Sequence, residues 1–430
     1  MNVNLHNCTL VDGRKVSIAI REGKINEISE TVSVFDQEID IGGKMVIPGI
    51  IDTHVHFREP GGEQKEDWST GSEAAAAGGV TTVIDMPNTD PPTIDSKTLE
   101  KKRKLAEKSL VNYGFFLGAT KDNLKEIKKA RNIAGVKVYV GSSTGNLLVS
   151  EDDDLENLFT IPNIQWVIHA EDEPIILQNQ IKFSSDDSPS VHSKIRERSA
   201  AIKAVERIIV LSKKTGARIH ICHVSTQEEV ELIQEAKGEG VFITCEVSPH
   251  HLFLTDQYYF QRGNFAKVNP PLRTVEDTKK LFEALEMGII DTIATDHAPH
   301  TIQEKEQEYS KAPSGLPEVQ TSLPLMLNEV SKGTISLQRV VEIMSEKPAK
   351  RFHIQNKGKI AEGYDADLTV IDLNKKQKVA QGMLRSKCGW SPYEGQEITG
   401  WPIMTFVNGN LIFNNKTINK EYKGKEVIYE

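Results

Sequence analysis

Two histidines and an arginine alternate along one short segment, residues 49–60, at the end of an apolar stretch. In an extended chain successive side chains point to opposite faces, so His54, His56 and Arg58 emerge on the same side. Imidazole is a common metal ligand, and a guanidinium can bind a carboxylate through two parallel hydrogen bonds. A His-x-His pair also occurs as two strand histidines that neighbours satisfy, so the metal hypothesis needs support from elsewhere in the chain.

The elements that must position this segment alternate in type. From about residue 46 to 300, apolar strand segments alternate with amphipathic helical segments, which is typical of a parallel sheet built from βαβ units. The predicted strands span residues 46–57, 79–86, 111–117, 135–140, 164–169, 217–224, 241–247 and 289–296. The predicted helices span residues 67–77, 96–108, 122–132, 195–213, 226–237, 275–287, 318–330 and 337–344.

Eight strands with intervening helices over roughly 250 residues predict an α/β protein with a (β/α)8 TIM-type barrel. A doubly wound sheet is the alternative, but no GxGxxG motif opens the first helix.

The two chain ends have a different sequence pattern, which predicts short strands separated by turns. The N-terminal piece is too short to enclose its own core, and Asn408-Gly409 is a hairpin signal near the other end. We therefore expect residues 1–48 and 355–430 to form one small composite β-sandwich domain, with a strand at 358–363, beside a barrel of residues 49–354.

The bulk composition excludes several function classes. The 430 residues carry a formal charge of -9 and a pI near 5.8, which argues against a nucleic-acid partner. No apolar run reaches the roughly 20 residues of a membrane span, and the polar N-terminus lacks the apolar core of a signal peptide, so we expect a cytoplasmic protein. The four cysteines show no CxxC spacing, so neither a zinc knuckle nor a disulfide framework is indicated.

Further metal-ligand types fall at the ends of predicted strands. His169 ends the fifth strand, His223 lies at the end of the sixth and Asp296 ends the eighth. Each alone could be a core histidine or a helix N-cap. Because reactive groups collect at the carboxyl ends of barrel strands, their joint placement with His54 and His56 predicts one metal-binding pocket.

The fourth strand contains a lysine, Lys137, inside a β-branched run. Burying an unpaired ammonium is costly, so the side chain either points outward between helices or is chemically changed. A lysine that faces the barrel mouth can react with carbon dioxide to form a carbamate, which is an anion suited to bridging two divalent ions.

These motifs together resemble the amidohydrolase superfamily and, within it, the dihydroorotase family. The matching segments run through nearly the whole chain: DTHVHFREP at 52–60, AGGVTT at 77–82, MPNT at 86–89, CHVST at 222–226, NPPLR at 269–273, TDHAPH at 295–300 and KCGWSP at 387–392.

The resemblance implies two divalent metal ions, with zinc as the first choice over manganese and cobalt. The first metal would be bound by His54, His56 and Asp296, and the second by His169 and His223. Asp296 would also be the acid/base for a hydroxide that the metals make available.

Carboxylated Lys137 would bridge the two ions in this family pattern. Many bacterial relatives use an aspartate as the bridge, whereas the segment GVKVY at 135–139 matches the lysine pattern. The acidic run at 151–154 is the alternative source of a bridge, although it is typical of a helix start.

The reaction implied is the reversible hydrolysis of the cyclic amide of dihydroorotate to N-carbamoyl-aspartate in pyrimidine biosynthesis. Arg58 suits the substrate carboxylate. The resemblance adds Asn88 and His300 to that clamp, with Asn269 and the backbone around Gly315 holding the ring.

The loop at 141–146 is small, polar and glycine-containing, as a mobile lid would be, and the resemblance nominates its Thr144 for substrate contact. A homodimer is also implied. The alternatives are another cyclic amidohydrolase, either an allantoinase or a hydantoinase, and a non-catalytic relative that partners an aspartate carbamoyltransferase.

Overall fold

The computed structural model describes residues 2–30, 37–143 and 147–430 of the chain. Within these ranges the chain forms an eight-stranded parallel sheet and a separate nine-stranded sheet made from both chain ends. The N-terminal strands of the second sheet are β1 (Asn2–Thr9), β2 (Lys15–Arg21), β3 (Lys24–Ser29), β4 (Gln37–Asp40) and β5 (Met45–Pro48).

The parallel sheet is a barrel whose strands follow one another in chain order. Its strands are β6 (Ile50–Val55), β7 (Val80–Asp85), β8 (Asn112–Gly118), β9 (Gly135–Tyr139), β10 (Gln165–His169), β11 (Arg218–Ile221), β12 (Ile243–Val247) and β13 (Thr292–Ile293). The His56 N–H donates to the His297 carbonyl at 2.8 Å, and Val55 forms a parallel bridge with His297. These contacts join the first strand to the segment after the last, so the predicted (β/α)8 barrel is confirmed.

The first predicted strand, 46–57, is in fact two strands in two different sheets. β5 belongs to the chain-end sheet and β6 to the barrel, and the chain crosses between them at Gly49. A β-carbon at Gly49 would lie 2.1 Å from Thr81 Oγ1, so only glycine allows the close approach at this crossing. The periodicity of an apolar run cannot reveal such a change of sheet.

The helices surround the barrel and connect its strands. They are α1 (Trp68–Ala77), α2 (Ser96–Ala106), α3 (Leu124–Lys129), α4 (Asp152–Phe159), α5 (Glu173–Lys182), α6 (His192–Ile195), α7 (Arg198–Thr215), α8 (Gln227–Gly238), α9 (Pro249–Phe253), α10 (Tyr258–Arg262), α11 (Val275–Met287), α12 (Ile302–Lys305), α13 (Ser322–Lys332), α14 (Leu337–Val341) and α15 (Lys347–Arg351). A π-helical turn, Glu342–Glu346, joins the last two.

Capping residues determine where several of these helices begin. Asp67, Asp95, Thr226 and Thr274 each accept a hydrogen bond from the backbone N–H three residues later, and the side chain at that position accepts one in return from the backbone N–H of the capping residue.

None of the described helices has the length and apolar character needed to cross a membrane.

The C-terminal strands complete the second sheet. They are β14 (Leu368–Lys378), β15 (Glu397–Val407), β16 (Asn410–Asn414) and β17 (Thr417–Ile418). The antiparallel pairing of Leu368 with Pro48 joins β14 to β5, and so unites the two chain ends. The Asn408-Gly409 turn between β15 and β16 has φ values of 45° and 76°, as the hairpin signal predicts.

One predicted strand of this part of the chain is wrong. Residues 358–363 form turns, because both Gly358 and Gly363 adopt φ +84° and interrupt an extended conformation.

Candidate active site

The carboxyl ends of the barrel strands open into one cavity. It is lined by His54, His56, Arg58, Asn88, Lys137, Tyr139, Ser143, His169, His223, Val268, Asn269, Asp296, Ala298, Ser314 and Gly315. The structure therefore brings together all but two of the residues predicted for the site. His300 lies behind Arg58, and Thr144 lies outside the described residues.

His54, His56 and Asp296 form a buried cluster on one side of the cavity. Asp296 Oδ1 lies 3.1 Å from His54 Nε2 and 2.9 Å from His56 Nε2. The Nδ1 atoms of the two histidines face away from the cluster and bond Glu246 at 2.5 Å and Asn88 at 2.7 Å. Such outer partners fix ring orientation and tautomer, so each Nε2 is directed inward, as a metal ligand must be.

His169 and His223 form the other half of the site. His169 Nδ1 lies 3.1 Å from His223 Nε2, and His169 Nε2 lies 3.1 Å from a Glu171 carboxylate oxygen. Glu171 is in turn held by the buried Arg196, whose Nε lies 3.0 Å from Oε2. His223 Nδ1 is buried without a hydrogen-bond partner among the described atoms. Four imidazole nitrogens thus converge with the Asp296 carboxylate.

Three of these residues have strained backbones. Arg58, His223 and Asp296 have φ values of 63°, 34° and 50°, a region that residues other than glycine rarely occupy. All three lie two or three residues after the end of a barrel strand and line the cavity. Strain of this kind persists only where the surrounding structure imposes it, and it is concentrated at functional sites.

Lys137 lies at the base of the site. Lys137 is 1% exposed, and its Nζ donates a hydrogen bond to Cys222 Sγ at 2.8 Å. Among the described residues no carboxylate lies within ion-pair distance of this ammonium, although Tyr139 presents its ring at 5.2 Å. A buried ammonium without a counter-charge is costly, and conversion to a carbamate anion would remove that cost.

The electrostatics of the cluster favour a bound cation. Burial lowers the pKa of His56 to about 4 and lowers the pKa of His223 well below its usual value, so both rings offer lone pairs at neutral pH. Burial opposes ionisation of Asp296, but His54 and His56 outweigh it and hold the pKa of this carboxyl well below its usual range. Burial and Lys137 oppose protonation of His54, yet Glu246 and Asp296 raise its pKa well above the usual value.

Arg58 lines the same cavity as the cluster. The residue is 8% exposed, and its Nε donates to the Pro299 carbonyl at 3.1 Å. Its guanidinium faces the same cavity as the histidines, which suits an anionic group on the bound molecule.

Sequence reasoning missed the carboxylates behind the histidines. Glu246 bonds His54 with one oxygen and His220 Nε2, at 3.1 Å, with the other, and Glu171 supports His169. A signal for Glu246 was present, because it interrupts the apolar strand β12 as Lys137 interrupts β9.

The Amidohydrolase family model matches residues 45–412. That match covers most of the chain and both halves of the site. The chain belongs to the amidohydrolase family. The donor set of this amidohydrolase, which is imidazole and carboxylate, is suited to divalent metal ions.

Named relatives cover nearly the whole length of this amidohydrolase. A dihydroorotase of Methanosarcina mazei is 41% identical, covering 95% of this chain and 93% of its own. An L-hydantoinase of Paenarthrobacter aurescens is 37% identical, covering 96% and 94%. The solved L-hydantoinase (dihydropyrimidinase) from Arthrobacter aurescens superimposes with a TM-score of 0.95 at 34% identity, covering 99% of both chains.

Proposed function

We propose that this amidohydrolase is a dihydroorotase, which reversibly hydrolyses the cyclic amide of dihydroorotate to N-carbamoyl-aspartate in pyrimidine biosynthesis. The observation that carries the proposal is the presence of the buried Arg58 guanidinium and the histidine cluster on one small cavity. Dihydroorotate has a carboxylate on its ring, whereas hydantoin and allantoin lack one. The relatives named dihydroorotase, 37–41% identical over most of the chain, support this substrate.

The residues fit a pair of divalent ions, for which zinc is our first choice. His54, His56 and Asp296 would hold one ion, His169 and His223 the other, and a carbamate on Lys137 would bridge them. Bound divalent ions lower the pKa of water and polarise an amide carbonyl. The close approach of His169 Nδ1 and His223 Nε2 and the unpaired buried Lys137 support this assignment.

Side chains of this protein supply the acid/base group and orient the substrate. Asp296 is the carboxylate of the cluster and its pKa is held well below the usual range, so it can accept a proton from the attacking water and return it to the departing ring nitrogen. Arg58 would bind the ring carboxylate through its two-pronged guanidinium. Asn269 and the Gly315 backbone line the wall where the ring would lie.

Asn88 and Thr144 are two further residues predicted to contact the substrate. Asn88 bonds His56 Nδ1 at 2.7 Å and also lines the cavity, so we assign it to both ring orientation and substrate binding. Thr144 would reach the substrate from the loop that follows β9. We further propose that the enzyme acts in the cytoplasm on this small molecule, and as a homodimer.

The test is turnover with dihydroorotate, hydantoin and allantoin, together with a metal count on the purified protein. We expect turnover of dihydroorotate, and we expect Arg58→Met to lower kcat/KM for it by about 100-fold, because losing one side of a buried charge pair costs ~3 kcal/mol. The metal count should not change. Arg58→Lys keeps the charge without the fork and should recover part of the loss.

A hydantoinase is the second candidate, because the Paenarthrobacter aurescens relative and the solved L-hydantoinase are similar over nearly their full length. Preferred turnover of hydantoin, or full activity on dihydroorotate after Arg58→Met, would favour it. Absence of both metal and turnover would instead favour a non-catalytic partner of an aspartate carbamoyltransferase.

A further inference from the structure

A second polar network contacts Arg58 and includes none of the predicted metal ligands. Its centre is His300, which is fully buried. His300 Nε2 lies 3.0 Å from the Ser314 carbonyl oxygen and 3.1 Å from Arg58 Nη2. His300 Nδ1 lies 3.2 Å from Lys65 Nζ. None of the metal ligands takes part in these contacts.

Two of the three polar contacts of His300, those with Lys65 and Ser314, require the same tautomer, whereas the contact with Arg58 Nη2 would need the other. An ammonium can only donate, so the contact with Lys65 requires Nδ1 to be the acceptor. A carbonyl oxygen can only accept, so the contact with Ser314 requires Nε2 to carry the hydrogen. Burial and the charge of Arg58 hold the pKa of His300 well below its usual value, so the ring is neutral and has a single N–H. The Nδ1 atom is 3.8 Å from Glu304, too far for a competing hydrogen bond.

This tautomer has a consequence for Arg58. When Nε2 carries a hydrogen it cannot accept one, so the Nη2 hydrogens of Arg58 find no acceptor in His300. They remain available to a ligand in the cavity. In the opposite tautomer Nε2 would accept from Nη2 and engage the guanidinium against the cavity wall.

The surroundings hold the network in this arrangement. Lys65 Nζ is anchored by Glu304 at 2.9 Å, and the backbone of His300 is fixed because its carbonyl accepts from Trp390 Nε1 at 2.8 Å. The buried Lys305 donates to the carbonyls of Pro313 and Gly315 at 2.9 and 3.2 Å, on either side of Ser314. The acceptor for Nε2 therefore has a defined position.

We propose that Lys65 is a positioning residue that sets the tautomer of His300 and so keeps the Arg58 guanidinium free to bind the carboxylate of the substrate. The substrate class rests on the proposed function, whereas the tautomer depends only on the contacts above. Lys65 thereby contributes to the preference for a ring that bears a carboxylate.

The experiment compares Lys65→Met and Lys65→Arg in the full-length enzyme. The substrates are dihydroorotate and dihydrouracil, which has the same ring without the carboxylate. We expect Lys65→Met to raise KM for dihydroorotate about tenfold, ~1.4 kcal/mol, with kcat within about twofold of wild type. The kcat/KM for dihydrouracil should not fall, and Lys65→Arg should restore KM to within about threefold. Lys280→Met is the matched control, because this exposed lysine pairs with Glu283 far from the network, and it should change nothing.

A double-mutant cycle separates the tautomer from simple loss of charge. In a His300→Ala background, Lys65→Met should raise KM by no more than about twofold further. Long-range ¹H–¹⁵N spectra of histidine-labelled protein, with His300 assigned by its absence in His300→Ala, should show the Nε2–H tautomer in the wild type and its loss in Lys65→Met.

An equal rise in KM in both backgrounds would overturn the proposal, as would an Nδ1–H tautomer in the wild type. A wild-type protein that opens hydantoin but not dihydroorotate would overturn the proposed function alone, because the spectra report the tautomer without any substrate.

Discussion

Glu246 provides the sharpest test of how the site is built. Its carboxylate bonds His54 Nδ1 at 2.5 Å and His220 Nε2 at 3.1 Å, and all three residues are at most 1% exposed. Glu246→Gln keeps the shape of the side chain and removes its charge. The amide oxygen can still accept from His54, and the amide nitrogen can face His220, whose Nδ1 can donate to Thr244 Oγ1 at 2.9 Å.

The expected cost follows from the charge alone. A buried hydrogen bond to a charged group contributes ~1.5–3 kcal/mol, which corresponds to about 10- to 150-fold in an equilibrium constant. Loss of an outer partner of a metal-binding histidine commonly costs about 10- to 100-fold in metal affinity. We therefore expect Glu246→Gln to weaken binding of the metal at His54 by about 10- to 100-fold, with turnover largely restored by excess metal.

The assay is competition for Zn²⁺ between the apo protein and a chromophoric chelator at fixed pH. Glu318→Gln is the matched control, because Glu318 is an equally buried carboxylate that bonds His250 at 2.8 Å away from the predicted ligands. A change in metal affinity below about threefold for Glu246→Gln, or an equal change for Glu318→Gln, would refute the reasoning.

Three further predictions follow from other contacts of the site. Arg196→Met should lower the free energy of unfolding by ~3–5 kcal/mol in urea titrations, because Glu171 then stays buried without its partner, whereas the exposed Arg14→Met should change little. Removal of metal by a chelator should abolish turnover, and recovery on adding Zn²⁺ should require bicarbonate; full recovery without it would count against a carbamate on Lys137. Gly315→Ala should raise KM and lower the melting temperature, because a β-carbon there would lie 2.4 Å from the Ala298 carbonyl oxygen. The control is Gly333→Ala, whose β-carbon would meet no atom within 4 Å, so this change should cost only backbone strain.

The strand predictions succeeded where the signal was local. Apolar runs with alternating helices identified the barrel because each βαβ unit has its own periodicity and turn residues. The sequence pattern predicted a domain boundary between residues 48 and 49, but one predicted strand, 46–57, ran across it, since both halves are apolar and extended and only the assembled molecule assigns them to different sheets. The failure at 358–363 has a local cause, because two glycines with positive φ end the extended conformation.

The site residues divide in the same way, because some carry a local signal in the sequence and others do not. The histidines, Asp296 and Arg58 were predicted as site residues because their residue types stand out at strand ends, where a barrel gathers reactive groups. Glu246 was missed although it interrupts β12, because a carboxylate in a strand has no assigned role until its partner is known. That partner, His54, is 192 residues away along the chain.

Residue type and spacing alone therefore indicated the class of fold and a metal-binding pocket at the barrel mouth, because strand and helix periodicities are properties of short segments, and the reaction came from the resemblance of the motifs to a known family. Only the tertiary structure decided which nitrogen of each histidine faces inward, that Lys137 has no carboxylate partner among the described residues, and that Lys65 donates to His300. Those features depend on how strands and loops distant in sequence are brought into contact, and no local pattern encodes that pairing.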